Sequence, residues 1–276
     1  MKNVKEYVEK FTTFGEPVDY KGLKIKPIVV RDAEKFLDAI DVFQIEKNKI
    51  PDINIIRMSY LEFLMGIMAM DKLYVDDFLC LLSLTLGMKY KEEDRVGGEE
   101  FGANELLSQS LPNGDSTYYI NGWDLEINIK KGRATIRLMD SVLSSNEFDE
   151  FIKIIMFQNI DDYDDMEMSD DFRRVVSQYY ALKYKGIHEP TLEDKMMAII
   201  VSSSYTMETI KEMPMRSFDR LFSCSVKKVD YIATKPLEIH MKEGESVDHW
   251  IFYPKRDKYS EIFGDANELA KKVTSI

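Results

Sequence analysis

Cysteine is scarce in this chain of 276 residues, and its two copies, Cys80 and Cys224, lie far apart within apolar stretches. A small secreted domain held together by disulfides carries many more cysteines at short spacing. This chain is long enough to bury a sizeable core without such cross-links. We therefore expect two free thiols and a protein that folds in a reducing cytoplasm.

Long apolar runs are missing as well. The longest are FLMGIMAM at 63–70 and FLCLLSLTLGM at 78–88, whereas a membrane-spanning helix needs about 20 apolar residues. The first residues, MKNVKEYVEKFTTF, alternate charged and apolar side chains, which favours a short amphipathic helix over a signal peptide. The sequence thus predicts two core helices and no membrane partner.

A broad basic surface is also absent. The formal net charge is −12, and the segment 146–171 alone contains ten acidic residues and one lysine, Lys153. Proteins that bind nucleic acids directly carry clustered lysine and arginine to neutralise phosphates. The charge distribution therefore disfavours a nucleic-acid partner.

Local catalytic and metal-binding motifs are lacking too. The three histidines, His188, His240 and His249, are never three or four residues apart, so no helical metal pair exists. Glycine-rich phosphate loops and the G-x-S-x-G nucleophile turn do not occur. We expect no catalytic residue, no cofactor and no metal, although an enzyme whose site is assembled from distant residues stays an alternative.

The acidic stretch FQNIDDYDDMEMSDDFRRVV carries seven carboxylates between Asp161 and Asp171. A calcium loop of the EF-hand kind needs a glycine for its turn, and this stretch contains none. One apolar helical stripe ends near Asn159 and another opens at Phe172, so we expect a solvated connector between two helices. A surface for a basic partner is the second interpretation, and a metal site is the third.

Hydrophobic periodicity predicts most of the secondary structure. Apolar residues recur at helical spacing through 36–43, 56–70 and 74–86, whereas 118–129 and 134–138 alternate like the two strands of a β-hairpin. Strand-like sequence returns between Tyr231 and Tyr253. The expected fold class is α+β, predominantly α-helical, with a central β-hairpin and short C-terminal strands.

Three regions follow from this pattern. Residues 1–88 are mainly helical with a small β-hairpin around Lys21-Gly22, residues 89–144 contain a long loop and the central hairpin, and residues 145–276 are helical and end in short strands and a helix. Within the last region, His249 to Tyr253 would place Trp250 and Phe252 on one face of a strand.

Sixteen methionines occur in the chain, several of them in apolar helical segments. Thioether side chains fill irregular gaps in protein cores, and they also suit grooves that accept a partner helix. Core filling is the commoner use of methionine, and a groove for a partner helix is the alternative.

The C-terminal third resembles a known family. The stretch TLEDKMMAIIVSSSYTMETIKEMPMRSFDRLF is followed, after a spacer, by VDHWIFYPKRDKYSEIF. This order is similar to the C-terminal part of tail assembly chaperone-like proteins of phages and prophages of Gram-positive bacteria, which combine a T-x-E-x-I-x-x-M helix, an arginine and phenylalanine, and a later His-Trp segment. The matching residues here are Thr206, Glu208, Ile210, Met213, Arg216, Phe218, His249 and Trp250.

The resemblance implies a cytoplasmic, non-enzymatic protein of virion morphogenesis. It would bind the tape measure protein, keep this long helical protein soluble, and recruit tail tube subunits, with Met213, Arg216, Phe218, His249 and Trp250 as candidate partner-binding residues. A structural tail or baseplate protein retained in the finished particle is the alternative from a second class. An enzyme with a dispersed site is the third.

Overall fold

The computed structural model divides the chain into two compact units. Unit 1 comprises Met1–Tyr163 and Glu208–Asp219, and unit 2 comprises Asp164–Met207 and Arg220–Ile276. The structure describes residues 4–45, 47, 50–90, 106–110, 115–130, 133–161, 163, 170–183, 185–186, 190–241 and 246–252. The limits of the two units do not coincide with those of the three regions predicted from the sequence.

Helices account for most of the described residues. Up to residue 163 they are α1 (Val4–Thr12), α2 (Ala33–Gln44), α3 (Ile53–Arg57), α4 (Tyr60–Met70), α5 (Lys72–Leu86) and α6 (Ser145–Asn159). Later in the chain they are α7 (Asp170–Lys183), α8 (Leu192–Ser202), α9 (Met207–Lys211) and α10 (Met215–Thr234). A 3-10 helix, Lys235–His240, follows α10 directly.

Side-chain caps explain where α4 and α5 begin, and a glycine explains where α5 ends. The Glu62 carboxylate accepts hydrogen bonds from the Ser59 backbone N–H and hydroxyl at 2.7 and 2.8 Å, and Ser59 caps Glu62 in return. Asp71 accepts from the N–H of Leu73 at 2.9 Å, which satisfies a donor in the first turn of α5. Gly87 ends α5 in the left-handed conformation, with φ of 72°.

Two antiparallel sheets complete unit 1. The small one pairs β1 (Val18–Tyr20) with β2 (Leu23–Ile25). The larger one is a five-stranded meander in chain order. Its strands are β3 (Leu106–Ser110), β4 (Ser116–Ile120), β5 (Leu125–Lys130), β6 (Arg133–Leu138) and β7 (Ser141–Ser144).

Alternation of side chains gives the larger sheet one buried face and one outer face. Its buried face includes Ile120, Leu125, Ile127, Ala134, Ile136, Leu138 and Leu143. The outer face includes two cross-strand rows, which are Leu107–Tyr119–Glu126–Arg137–Val142 and Gln109–Thr117–Asn128–Thr135–Ser144.

Aromatic rings form the centre of the unit 1 core. The ring of Phe148 on α6 meets those of Phe43 on α2 and Phe78 on α5 edge to face, with centroids 6.3 and 6.2 Å apart. Phe43 and Phe78 meet in the same way at 5.9 Å. This geometry suits the quadrupoles of aromatic rings, so the three helices are joined by specific contacts as well as by buried area.

The expected fold class, a predominantly helical α+β protein, is confirmed. Two details differ from the sequence-based expectation. The central hairpin is part of five strands, and β3 lies inside the stretch 89–116 that was expected to be a loop. The third region continues as α7 and α8 after the acidic stretch, as its apolar stripes predict.

The prediction of short C-terminal strands is wrong for the described part of the segment 231–253. Residues up to Thr234 belong to α10, the 3-10 helix continues to His240, and 246–252 form no strand. Pro236 stands in the first turn of the 3-10 helix, where its missing N–H leaves no hydrogen bond unmade. Tyr253 and the expected closing helix lie outside the described residues.

Candidate partner-binding site

Arg216, one of the five residues that the resemblance implicates, is buried in unit 1 and only 6% exposed. Its Nη1 donates a hydrogen bond to the backbone oxygen of Phe157, and its Nε donates to Oδ1 of Asp161 at 3.2 Å. Phe157 lies in the last turn of α6, where carbonyls lack intrahelical partners and the helix dipole is negative. Arg216 therefore caps the C-terminus of α6.

Met213 and Phe218 also serve the fold of unit 1. The carbonyl of Met213 accepts from the N–H of Val30 at 2.9 Å, and the N–H of Met215 donates to the carbonyl of Ile28 at 2.8 Å. This short antiparallel contact holds the start of α10 against the segment after β2. Phe218 is 1% exposed, so its ring belongs to the core.

Two buried amides at the end of α6 extend this contact. Asn159 accepts from the N–H of Ile28 at 2.7 Å, and Nε2 of Gln158 donates to the carbonyl of Ile25 at 3.2 Å. Oε1 of Gln158 is buried and has no hydrogen-bond partner among the residues that the structure describes. Sequence reasoning missed both residues, although two amides directly after the apolar run 154–157 are a visible signal of buried polar contacts.

The N-terminal end of α6 carries a charged cap. The Glu147 carboxylate accepts from the N–H and the hydroxyl of Ser144, both at 2.9 Å, and lies 2.6 Å from the Lys21 ammonium. The hydrogen bond from Lys21, followed by those from Ser144, lowers the pKa of Glu147 to about 2. This cluster joins the β1–β2 turn to the start of α6.

A second carboxyl on α6, that of Asp149, has a pKa above its ordinary value, whereas the pKa of Glu147 is below it. Burial raises the pKa of Asp149, even though the Lys47 and Lys153 ammonium groups act to lower it. Within the described part of the chain, the buried Oδ1 of Asp149 has no hydrogen-bond partner. Burial also raises the pKa of Tyr60, whose hydroxyl donates to the carbonyl of Val42 at 3.2 Å. Perturbed acids of this kind occur in active sites and in structural networks alike.

In unit 2, His249 organises a small aromatic cluster. Its Nδ1 accepts from the N–H groups of Ile251 and Phe252 at 3.2 and 3.4 Å, which bends the chain. Its ring lies 5.0 Å from that of Tyr231, 6.1 Å from that of Trp250 and 5.3 Å from that of Phe252. The expectation that Trp250 and Phe252 share the face of a strand opposite His249 is wrong, because the bend brings both rings to the histidine.

The described helices of unit 2 leave large apolar side chains uncovered. Val226, Val229 and Ile232 recur every third residue on α10 and are 52%, 60% and 61% exposed. We call these three residues the α10 stripe. Within the described residues of unit 2, the buried apolar side chains are Met196 and Ile199 of α8. Val201, also on α8, is 83% exposed.

The next feature is the set of potential metal ligands and the two thiols. Across the described ranges, no group of three or more His, Cys, Asp or Glu side chains lies in a metal-binding arrangement. Both cysteines are free thiols; Cys80 is half-buried and Cys224 is exposed. Burial raises the pKa of Cys80, which makes it a poorer nucleophile. His188 lies outside the described residues.

The five candidate partner-binding residues fall into two groups. Met213, Arg216 and Phe218 belong to unit 1, and His249 and Trp250 belong to unit 2. Their role in binding a partner stays a prediction. Met213, Arg216 and Phe218 have a clear structural role in unit 1. The α10 stripe is a different, exposed surface that the sequence pattern did not predict.

Of the acidic stretch, the structure describes the two ends. α6 closes at Asn159 and α7 opens at Asp170, so the stretch joins two helices as predicted. Asp161 pairs with Arg216. Most of the intervening residues lie outside the described part of the chain, as does Ser169.

No helix among the described residues is both long enough and apolar enough to cross a membrane. The chain matches no protein-family model, no curated protein and no solved structure.

Proposed function

We propose that this protein is a non-enzymatic tail assembly chaperone of a phage or prophage, acting in the cytoplasm of the bacterial host. It binds the tape measure protein, keeps it soluble, and recruits tail tube subunits. The α10 stripe is the observation that carries this proposal, because it offers an exposed apolar helix face. The resemblance of residues 191–276 to tail assembly chaperones supplies the identity of the partners.

The chemistry of the α10 stripe suits a helical partner. Three large apolar side chains spaced every third residue lie along one side of a helix, and an amphipathic helix packs its own apolar stripe against such a surface. Val226, Val229 and Ile232 are each more than half exposed. Lys228 and Asp230 are both exposed and lie on the two sides of the stripe, so charges of both signs border it and a partner helix with mixed charges beside its apolar face complements it.

A tape measure protein is a long helical chain whose apolar stripes aggregate unless they are covered. A chaperone for such a chain needs an uncovered apolar surface of its own before it binds. The described part of unit 2, with its few buried apolar residues, meets this need. Binding would bury the α10 stripe and thereby stabilise the complex by the hydrophobic effect.

The test replaces the α10 stripe with a polar helix former. We expect the variant Val226→Gln/Val229→Gln/Ile232→Gln to lose the ability to keep co-expressed tape measure protein soluble, while its circular dichroism spectrum stays that of the wild type. The readout is the fraction of tape measure protein in the soluble lysate and in pull-downs of the tagged chaperone.

A matched control comes from unit 1. Leu37, Ile53 and Ile56 are 49%, 60% and 47% exposed, close to the values of the α10 stripe. The triple substitution of these residues by glutamine removes a similar exposed apolar area, and we expect it to leave tape measure solubility unchanged. An equal loss in both variants would assign the effect to general surface hydrophobicity and contradict the role of the α10 stripe.

An inventory of purified particles distinguishes the chaperone from a structural component. A chaperone is absent from the mature particle, whereas a tail or baseplate protein is present at fixed stoichiometry. Absence of this chain from particles, together with capture of the tape measure protein, supports the proposal. Presence at fixed stoichiometry would overturn it in favour of a structural role.

A further inference from the structure

The described part of unit 2 ends against α10. Nδ1 of His249 accepts from the N–H groups of Ile251 and Phe252, and the His249 ring lies 5.0 Å from that of Tyr231 on α10. Phe252 is the last described residue, and its ring lies 5.3 Å from the same imidazole. The part of the sequence that follows Phe252 therefore starts beside α10.

Residues 253–276 follow, and they lie outside the described residues. Tyr231 and the α10 stripe lie on opposite sides of α10, because successive helical residues are about 100° apart. The path around a helix about 10–12 Å wide measures roughly 15–20 Å. Residues 253–268 alone can span about 50 Å when extended. The residues after 268 are therefore within reach of the stripe.

The sequence of these last residues suits the α10 stripe. Leu269, Val273 and Ile276 are spaced by four residues and then three, which places them on one face of the closing helix that the sequence predicts. A helix this short is marginal in water unless its apolar face packs against another surface. The α10 stripe is such a surface, because each of its three side chains is more than half exposed.

Charge favours contact between this segment and the rest of its own chain. Residues 253–276 contain five basic and four acidic residues, a formal charge of +1, so the net charge of −12 leaves −13 on residues 1–252. The segment is therefore attracted to the remainder of the chain, whereas a second acidic copy is repelled. Its charges of both signs also match Lys228 and Asp230, which border the stripe.

We propose that residues 253–276 fold back as a helix on the α10 stripe and cover it until a partner helix displaces them. This inference deepens the proposed function, on which it rests for the identity of the displacing partner. Covalent attachment gives the segment an effective concentration of about 1 mM. A segment with a dissociation constant of about 0.1 mM would then cover the stripe in about nine of ten molecules.

Such a cover regulates the stripe. It keeps an exposed apolar face from promoting aggregation of the chaperone itself. The partner helix binds the molecules in which the stripe is free, so its apparent affinity is about tenfold weaker than its affinity for the open form. The segment thereby selects for partners whose apolar stripe is longer or better matched than its own.

The test is amide hydrogen exchange, read by mass spectrometry on the full chain alone. We expect the amides of residues 266–276 to exchange about tenfold more slowly than their intrinsic rates. Leu269→Gln/Val273→Gln should restore the intrinsic rates, because it removes the apolar face. Lys271→Gln is the control and should keep the protection, since its position lies on the opposite side of the predicted helix.

The reciprocal variant alters the α10 stripe. Val226→Gln/Val229→Gln/Ile232→Gln should also remove the protection of residues 266–276, whereas the unit 1 control with glutamine at positions 37, 53 and 56 should keep it. Leu269→Gln/Val273→Gln leaves the sequence of α10 unchanged and should speed exchange at residues 226–232. That result identifies the stripe even if glutamines on α10 loosen the helix.

Two outcomes would overturn the proposal. Residues 266–276 of the wild type could exchange at their intrinsic rates, which would show that they cover nothing. Their protection could also survive in the stripe variant while exchange at 226–232 ignores the change of Leu269 and Val273, which would place the contact elsewhere. The experiment contains no tape measure protein, so it can fail while the solubility test of the α10 stripe succeeds.

Discussion

The side-chain oxygen of Asn159 accepts a hydrogen bond from the backbone N–H of Ile28, 131 residues earlier, at 2.7 Å. The Nδ2 of the same side chain donates to the carbonyl of Ile155 at 2.9 Å. Asn159 is fully buried, so both contacts lie in a region of low dielectric where an unpaired polar group is costly. One amide thus joins the end of α6 to the segment that follows β2.

Replacing Asn159 should therefore destabilise unit 1 strongly. We expect Asn159→Ala to lower the free energy of unfolding by about 1–3 kcal/mol, because the N–H of Ile28 loses its buried partner. Asn159→Asp should destabilise unit 1 more than Asn159→Ala at neutral pH, because the new carboxylate would face the carbonyl oxygen of Ile155 and repel it. The measurement is urea unfolding, and the control is Asn146→Ala, at an exposed position of the same helix.

Arg216 offers the second prediction. We expect Arg216→Met to reduce the free energy of unfolding by about 3 kcal/mol, because the Phe157 carbonyl and the Asp161 carboxylate both lose a buried cationic donor. Arg216→Lys should recover only part of this loss, since a single ammonium does not reproduce the two separate nitrogens of the guanidinium. Arg133→Met, at an exposed position in β6, is the control and should change stability by less than about 0.5 kcal/mol.

These two contacts also show what the sequence could and could not predict. The alternation of Leu125 and Ile127 with polar residues predicted β5, and the apolar stripe from Phe148 predicted α6, because both patterns are local. The partners of Arg216 and Asn159 lie 59 and 131 residues away in the chain. Nothing in the periodicity of either segment specifies such a contact.

The failures of sequence reasoning have physical causes as well. β3 and β7 are short, and LLSQS and SVLS alternate too weakly to be told from a loop. The segment after Tyr231 is rich in β-branched and aromatic residues, which fit strands well when a neighbouring strand exists. No such neighbour occurs among the described residues, and the segment is helical as far as His240. The α10 stripe was missed because an apolar helix face normally indicates a core position.

Glu147 should make stability depend on pH in acid. Its pKa in the folded protein, about 2, is below the ordinary value of 4.5, so its contribution is present above pH 4.5 and is lost as the pH falls towards 2. We expect Glu147→Gln to be less stable than the wild type at pH 7 and to approach it near pH 2. Urea unfolding at several pH values gives the two curves. A difference that stays constant across this range would contradict the assignment.

Asp149, two residues further along α6, should reduce stability at neutral pH, whereas Glu147 increases it. Burial raises its pKa in the folded state, so its ionisation opposes folding as the pH rises through that pKa. We expect Asp149→Asn to increase the free energy of unfolding at pH 7 by about 0.5–2 kcal/mol. The gain should vanish below the ordinary pKa of aspartic acid, 3.8, where the wild-type side chain is protonated in both states. A variant less stable than the wild type at pH 7 would show that the carboxylate makes a favourable contact.

Gly122 gives a prediction that rests on sterics. Its φ of 75° disfavours a side chain, and an added Cβ would overlap the ring of Tyr90. We expect Gly122→Ala to lower the melting temperature by several degrees, equivalent to about 1–3 kcal/mol. Gly66→Ala is the matched control, because its Cβ would meet nothing within 4 Å in the middle of α4. That substitution should raise stability by up to about 1 kcal/mol.

The discontinuity of unit 1 has a consequence for protein synthesis. Its first part ends at Tyr163, whereas the segment that carries Ile210, Arg216 and Phe218 begins at Glu208. During translation, residues 164–207 leave the ribosome before this second segment does. Until the second segment emerges, the Phe157 carbonyl at the end of α6 lacks Arg216, and the N–H of Val30 lacks the carbonyl of Met213. The core of the N-terminal part is therefore completed only after residue 219 has emerged. Premature termination before Glu208 would release a chain that lacks the last piece of its own core.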